Sequence, residues 1–303
     1  MSENCLLCQS EDVTVLESLS VGEINKLYKY NFGVLGAIKY PELSYMYCNN
    51  CALRYFFPGI AGEERLYERL QTYDWYYMSD KPEYKIASRY INDDESILEI
   101  GAGRAAFGLL MGKDRYKGLE YNDLAISKAR SSGITLLKES VSEHAAKGKS
   151  YDVVVSFQVL EHVESPFEFI KSCVDCLNPG GKLVIAVPSH DSYCGKSINN
   201  ILDMPPHHLS HWSNITLQKL SELFDLSIVS IVNEEISDYH MRWAKKTVVE
   251  TAIRKIFRMQ YKLIDRSVFA RVISKFSDII ARFFNISLEG VRGHTVVACY
   301  EKK

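Results

Sequence analysis

Three groups of residues in the 303-residue chain could do chemistry. The stretch "DMPPHHLSHW", Asp203 to Trp212, places His207, His208 and His211 within five positions. Imidazole titrates near neutrality, so it can move a proton or ligate a metal. Cys5-x-x-Cys8 and Cys48-x-x-Cys51 offer four thiolates at metal-ligand spacing. "ILEIGAGRAAFG", Ile97 to Gly108, runs an apolar segment into Gly101, Ala102 and Gly103, with a helical pattern after them. Glycines at such a turn let a ligand approach the backbone, and the following helix presents free N–H groups.

Two carboxylates belong with the glycine turn. Glu99 sits two residues before Gly101 in an apolar strand, where a buried acid needs a cation or a hydrogen-bond network. Glu120 ends the next strand, 19 residues after Gly101, where an acid can accept hydrogen bonds from both ribose hydroxyls of a nucleoside. Four thiolates close a tetrahedral site, so the cysteine pairs predict a structural zinc that clamps a long loop; free thiols are the alternative. Cys173 and Cys176 share the C-x-x-C spacing but fall within an amphipathic helical pattern and read as core or partly exposed cysteines. The histidine stretch differs from a metal motif. Ser213 is placed to N-cap a helix bearing Leu217, Leu220 and Phe224, so the histidines precede that helix. His207 and His211 then share no helical face, and no carboxylate follows at metalloprotease spacing. A metal is therefore not expected in this stretch, and Pro205 and Pro206 stiffen its approach.

The elements that must position these residues alternate. "SILEI", "YKGLE", "ITLL", "YDVVVSF", "KLVIAVP", "LSIVSIV" and "HTVVACY" read as seven strands separated by helices, which implies a doubly wound α/β sheet. Asp123 is a plausible N-cap for the second of these helices, and Ser165, Pro166 and Glu168 spell a capping box for a later one. Residues 1–60 read as irregular and tyrosine-rich. Residues 61–95 read as a helical and aromatic cap, residues 96–234 with 291–303 as the α/β core, and residues 235–290 as a helical insertion. Met241 to Phe284 holds eleven Lys or Arg against three acids, a surplus of eight positive charges in a chain whose net charge is −2.

Composition excludes several classes. With 47% hydrophobic and 24% charged residues, the chain can bury a real core. The slightly acidic balance gives no global basic field for nucleic acid. The N-terminus lacks the basic and apolar regions of a signal peptide, and no apolar run is long enough to span a membrane, so a cytoplasmic protein is expected.

Glu99, the Gly101–Gly103 turn, Glu120, "SFQVLEHVESP" and "LNPGGKLVIAVP" together resemble the class I S-adenosylmethionine methyltransferases, over Ser96 to Val232 and the final strand. The resemblance implies a Rossmann-like seven-stranded sheet with an antiparallel last strand. It implies that Glu99 and Gly101 to Gly103 line the methionine part of the cofactor, that Glu120 binds the ribose, and that Tyr121 packs on the adenine. Ser140 and Val141 would meet the adenine edge, and Gln158 with Leu160, Glu161 and His162 would border the transferred methyl. Ala105 stands where the family often has a third glycine. A dinucleotide-binding oxidoreductase shares the G-x-G and the ribose acid, but Arg104 and Ala105 suit a pyrophosphate cradle poorly.

The cysteine pairs followed by "RYFFPG" and a tyrosine-rich helix resemble a subgroup, the sugar methyltransferases that include deoxysugar C-methyltransferases. That resemblance implies a nucleotide-linked sugar as acceptor, methylated at carbon or oxygen. It implies Tyr73, Tyr76, Tyr77, Glu161 and His211 as substrate-pocket residues, and His208 as the base, with His207 and His162 in reserve. RNA as acceptor is a second reading, weakened by the few basic residues near the cysteines, chiefly Lys26, Lys29, Lys39 and Arg54. A non-catalytic cofactor- or zinc-binding interaction protein is a third. The basic insertion reads as a solvated or dimer face, a seat for an anionic substrate, or a peripheral contact with an anionic membrane.

Overall fold

The uninterrupted apolar runs become the centre of a sheet. In the computed structural model, which describes residues 4–62, 64–70, 72–73, 78 and 80–303, β4 (Ile97–Ile100), β6 (Tyr151–Phe157) and β7 (Leu177–Pro188) are parallel neighbours. β5 (Tyr116–Leu119) pairs in parallel with the other side of β4. β10 (Thr295–Lys302) runs antiparallel between β7 and β9 (Leu226–Asn233). The order is β5-β4-β6-β7-β10-β9. Alternate residues feed two cores: Leu98, Val154, Leu183 and Ala298 face one, while Ile97, Val153, Val184 and Val297 face the other. Both faces are covered, which is why these strands carry no polar alternation.

The sheet has six strands among the described residues, not seven. "ITLL" contributes only a bridge, in which Leu137 donates to the Gly118 carbonyl and accepts from the Glu120 amide. Its first residue, Ile134, is spent on the Ala129 carbonyl at the end of α5 (Asp123–Ser131), and β5 is only four residues long, so little ladder remains to extend. Two helix starts also differ from the sequence expectation. Asn122, not Asp123, caps α5, its Oδ1 accepting from Ala125 N at 2.8 Å. Ser165 makes no side-chain cap on α7 (Pro166–Asp175). The capping box forms instead between Ser140 and Glu143 on α6 (Val141–Ala145).

Residues 4–60 are not irregular throughout. β1 (Val13–Ser20), β2 (Glu42–Cys48) and β3 (Arg54–Phe57) form an antiparallel sheet, and the helix α1 (Val21–Phe32) follows β1. Val21, Ile24 and Tyr28 give α1 its buried stripe, and Gly33, at φ +70°, closes it by donating to the Lys29 carbonyl. The fourth strand of this sheet, β8 (Ser210–His211), comes from the histidine stretch and pairs with Arg54 and Tyr55. Buried Tyr28 adds a second tether, its hydroxyl lying 3.1 Å from the carbonyl oxygens of both Ile201 and Met204.

Between β9 and β10 lie α9 (Asp238–Ile256) and α10 (Val268–Phe283). Leu263 and Ile264, between these helices, pack with Tyr28, Ile201 and Met204. α10 buries its smaller side chains, Ala270, Ile273, Ser277 and Ala281, and exposes Val268, Phe269, Val272, Phe276, Ile279 and Phe283. No helix among the described residues is long and apolar enough to cross a membrane.

Candidate active site

Strand order changes direction at β4: β5 lies on one side and β6 on the other, so the loops leaving their carboxyl ends part and open a crevice. A cavity of about 1860 Å³ occupies it, lined by Gly101, Gly103, Glu120, Gln158, Glu161 and His208 among others.

The glycine turn needs its residue types. Gly101 and Gly103 take φ values of +73° and +53°, in the region that disfavours a Cβ. A Cβ on Gly101 would lie 2.4 Å from Val159 Cγ2. Ala105, the N-cap of α4 (Ala106–Met111), also sits at φ +59° and is fully buried. A third glycine would relieve a left-handed strain there of about 1–2 kcal/mol. Glu120 locks the turn to the end of β5. Its Oε2 accepts from Gly103 N at 2.7 Å, and its Oε1 accepts from Tyr121 N and Asn122 N at 2.8 Å each. Tyr121 is 60% exposed at the rim, and Ser140 and Val141 line the same end of the cavity.

Glu99 lies beneath this floor rather than in it. It is buried, accepts from the Tyr116 hydroxyl, and does not line the cavity. Burial raises its carboxyl to about 8. Ala102 is likewise turned inward, against Gly118. Glu99 and Ala102 thus stand behind the turn and shape it, where the sequence reading expected them to line the cofactor.

The opposite end of the cavity is built from two segments. The 3-10 turn Leu160–His162 follows β6 and brings Glu161 and His162; the loop before β8 brings His207 and His208. The turn and the loop are joined by Leu209 N donating to the Glu161 carbonyl at 2.7 Å. The His207 and His208 rings stack at 4.6 Å, and the His162 ring stands edge-on to both, at 4.6 and 4.8 Å. Desolvation keeps all three neutral, pushing His162 down to about 4 and the other two well below the usual histidine value. Burial has the opposite effect on Glu161 and raises it to about 8. Asp203, quoted in the sequence stretch but assigned no role there, receives the His208 Nδ1 proton at 2.9 Å.

His211 is elsewhere. Its Nδ1 accepts from Tyr45 Oη at 2.7 Å, its Nε2 donates to the Asp203 carbonyl at 2.8 Å, and its ring stacks on His190. It does not line the large cavity, where the sequence reading expected it, and braces the loop instead. Tyr73 packs against Phe32 and under Arg69, and it is not among the residues lining the cavity. Tyr76 and Tyr77 lie outside the described residues.

Cys5, Cys8, Cys48 and Cys51 converge, with all four sulfurs within 4.8 Å of one another and no disulfide formed. The Cys5–Cys51 and Cys8–Cys48 sulfurs are 3.5 Å apart. A tetrahedron with metal–sulfur bonds of about 2.3 Å has edges of about 3.8 Å. Leu7 N and Cys51 N donate to the Cys5 and Cys48 sulfurs, as donors around a thiolate would. The donor set fits a structural zinc. Cys173 and Cys176, by contrast, are fully buried in the core.

A family profile described as a methyltransferase domain matches residues 70–231, more than half of the chain and the whole of the glycine turn, Glu120 and histidine segments. The chain belongs to the methyltransferase-domain family. Among its relatives is a protein of Mycolicibacterium smegmatis named "Probable S-adenosylmethionine-dependent methyltransferase", 27% identical over 141 residues that span 45% of this chain and 50% of that protein. Another is a ubiquinone biosynthesis O-methyltransferase of Citrobacter koseri, 33% identical over 98 residues, 29% of this chain and 40% of that protein. The chain thus matches about half, or less, of the length of these curated relatives. A methyltransferase structure from Archaeoglobus fulgidus aligns with 72% of this chain and 92% of its own, at 20% identity and a TM-score of 0.48.

Within this member of the methyltransferase-domain family, the fold brings Gly101, Gly103, Glu120, Tyr121, Ser140, Val141, Gln158, Glu161, His162, His207 and His208 to one cavity. Sequence reasoning missed Asp203, Tyr67 and the wall formed by His240, Trp243 and His294. Asp203 stands five residues before His208, a spacing that only the loop's turn through Pro205 and Pro206 makes meaningful. His240 and Trp243 come from α9 and stack on or near His294 just before β10, across a separation that no local motif spans.

Proposed function

We propose that the chain transfers a methyl group from S-adenosylmethionine to an oxygen or acidic carbon of a small-molecule acceptor. The observation that carries this reading is that Gly101, Gly103 and Glu120, at the carboxyl ends of adjacent strands, line the same cavity as Glu161 and the three histidines. Glu120 would hold the ribose, already oriented by three backbone amides; the glycine turn would take the methionine end; Tyr121, Ser140 and Val141 would enclose the adenine. Gln158, with its side chain donating to Thr295 Oγ1 at 3.2 Å, lines the same cavity and would border the transferred methyl. The bound cofactor supplies the electrophilic methyl. The chain's part is to align the acceptor with it and to help remove the acceptor's proton. Glu161, His162, His207 and His208 are the residues proposed for that part, acting as a cluster.

The acceptor we propose is a nucleotide-linked sugar. A single-ligand pocket usually holds about 300–1,000 Å³, so a cavity of about 1860 Å³ leaves room beside the cofactor for a second molecule of similar size. Calorimetric titration with S-adenosylhomocysteine tests the cofactor half: Glu120→Ala should weaken binding by tenfold or more, and absence of binding to the wild type would refute the reading. Native mass spectrometry of the purified chain tests the acceptor half by the mass of any retained molecule.

A lipid-linked acceptor is a second reading, favoured by the outer face of α10. Six large apolar side chains are exposed there, and the longer stretch Met241 to Phe284 that contains α10 carries the surplus of eight positive charges. Co-sedimentation with vesicles containing anionic lipid should fall when Phe269 and Phe276 are both changed to Ser. Equal recovery of wild type and variant in the supernatant would refute it.

A further inference from the structure

The histidine end of the cavity contains acceptors without donors. Each ring gives its Nδ1 proton to a fixed oxygen: His162 to the His207 carbonyl at 2.5 Å, His207 to the Leu202 carbonyl at 2.8 Å, His208 to Asp203 Oδ1 at 2.9 Å. In that tautomer every Nε2 carries a bare lone pair. His207 Nε2 is buried and has no hydrogen-bond partner. Both oxygens of Glu161, on a residue 1% exposed, are equally without partners. Glu161 Oε1 lies 3.8 Å from His162 Nε2 and 4.0 Å from His208 Nε2, too far for a shared proton to bridge them. One nitrogen from each of the three rings lies within 4.8 Å of the others. Buried polar atoms left in this way call for an ion or water that satisfies them. Anchoring one imidazole nitrogen on a carbonyl or carboxylate, so that the other is aimed as a ligand, is how proteins prepare histidines for a metal.

We infer that His162, His207, His208 and Glu161 bind one divalent first-row transition-metal ion on the acceptor side of the cavity. Three imidazoles and one carboxylate suit zinc, iron, cobalt or nickel, whereas magnesium and calcium prefer oxygen ligands. With metal–nitrogen bonds of about 2.1 Å, two ligands of one ion stand at most about 4.2 Å apart, and about 3.4 Å apart in a tetrahedron. No pair of these nitrogens is more than 4.8 Å apart, so the closure needed is at most roughly 0.6–1.4 Å. The ion is distinct from the one that the four cysteines fit, since it sees no thiolate. The three rings form the group, and Glu161, outside it, would have to turn in as a fourth ligand; an octahedral ion then keeps two open positions, where an acceptor with two neighbouring oxygens would bind. That last clause rests on the methyl-transfer reading; the metal site does not.

The test counts ions. The full-length chain is stripped with a chelator, titrated with cobalt(II), desalted and assayed by mass spectrometric metal analysis and by absorption. Two ions per chain are expected, one giving the intense thiolate-to-cobalt band and one without it. The double variant His162→Ala, His207→Ala should hold one ion and keep the thiolate band, which also reports that the N-terminal part is folded. Asp203→Asn should weaken the second ion about 10–100-fold by releasing the His208 ring. One ion in the wild type, or two in the double variant, would overturn the inference. Binding of S-adenosylhomocysteine to the stripped chain is measured alongside: its failure would count against methyl transfer while leaving the ion count intact.

Discussion

Gly101→Ala tests the floor of the cofactor end. The new methyl would meet two penalties. The backbone stays at φ +73°, where an L-residue costs about 1–2 kcal/mol. The Cβ would also stand 2.4 Å from Val159 Cγ2, against a comfortable carbon–carbon separation of about 3.5–4.0 Å. Overpacking of this kind costs about 1–3 kcal/mol. Val159 is β-branched, so its methyl cannot swing aside cheaply. The loss expected is thus about 2–5 kcal/mol, shared between folding stability and the geometry of the Gly101–Gly103 turn. Urea denaturation reads the first share, and calorimetric titration with S-adenosylhomocysteine the second. The two penalties separate in a double-mutant cycle. Val159→Ala removes the clashing methyl, so it should recover about 1–3 kcal/mol in the Gly101→Ala background while leaving the backbone share unrelieved. A coupling energy near zero would refute the steric account. Unchanged stability and affinity in Gly101→Ala alone would refute the whole argument.

Three further outcomes are expected. Tyr28→Phe removes the buried hydroxyl that serves the Ile201 and Met204 carbonyls, and should cost about 1–3 kcal/mol in urea denaturation. Native Glu99 holds its proton up to about pH 8, whereas the unfolded carboxyl releases it near 4.5, so the folded chain binds more protons in between and stability should fall as pH rises from about 5 to 8. Glu99→Gln should flatten that slope, and an unaltered slope would count against burial as the cause. Cys48→Ser should remove the metal of the cysteine site, lower the melting temperature and, because β3 pairs with β8, also reduce the protection of the Ser210 and His211 amides in hydrogen exchange.

Local pattern made much of the core legible. "YDVVVSF" had to be a doubly buried strand because no polar face interrupts it, and it forms β6 with the same bounds. The glycine turn and Glu120 were readable because their chemistry is local: a strand, a turn, a helix and an acid at the next strand's end. The four cysteines were readable as two pairs at ligand spacing, a pattern that carries its own geometry. Residues 1–60 misled for the converse reason. β1, β2 and β3 gain stability from pairing with one another, and their alternation is too broken by tyrosines and short loops to show a period.

What the tertiary structure alone decided is the acceptor side of the cavity. From the sequence, "DMPPHHLSHW" was a loop with no carboxylate at metalloprotease spacing, and only the family resemblance ranked His208 as the base above His207 and set His211 against the substrate. In the fold His211 is withdrawn to brace Tyr45 and Asp203, while His162 and Glu161 arrive from a turn about 45 residues upstream. Which nitrogen of each ring is free is set by where a carbonyl or carboxylate happens to stand, and that depends on loop closure rather than on neighbours in sequence. Helical and strand periods constrain residues a few positions apart. A site assembled from two loops across the edge of a sheet obeys no such period, and only the packed chain could assemble it.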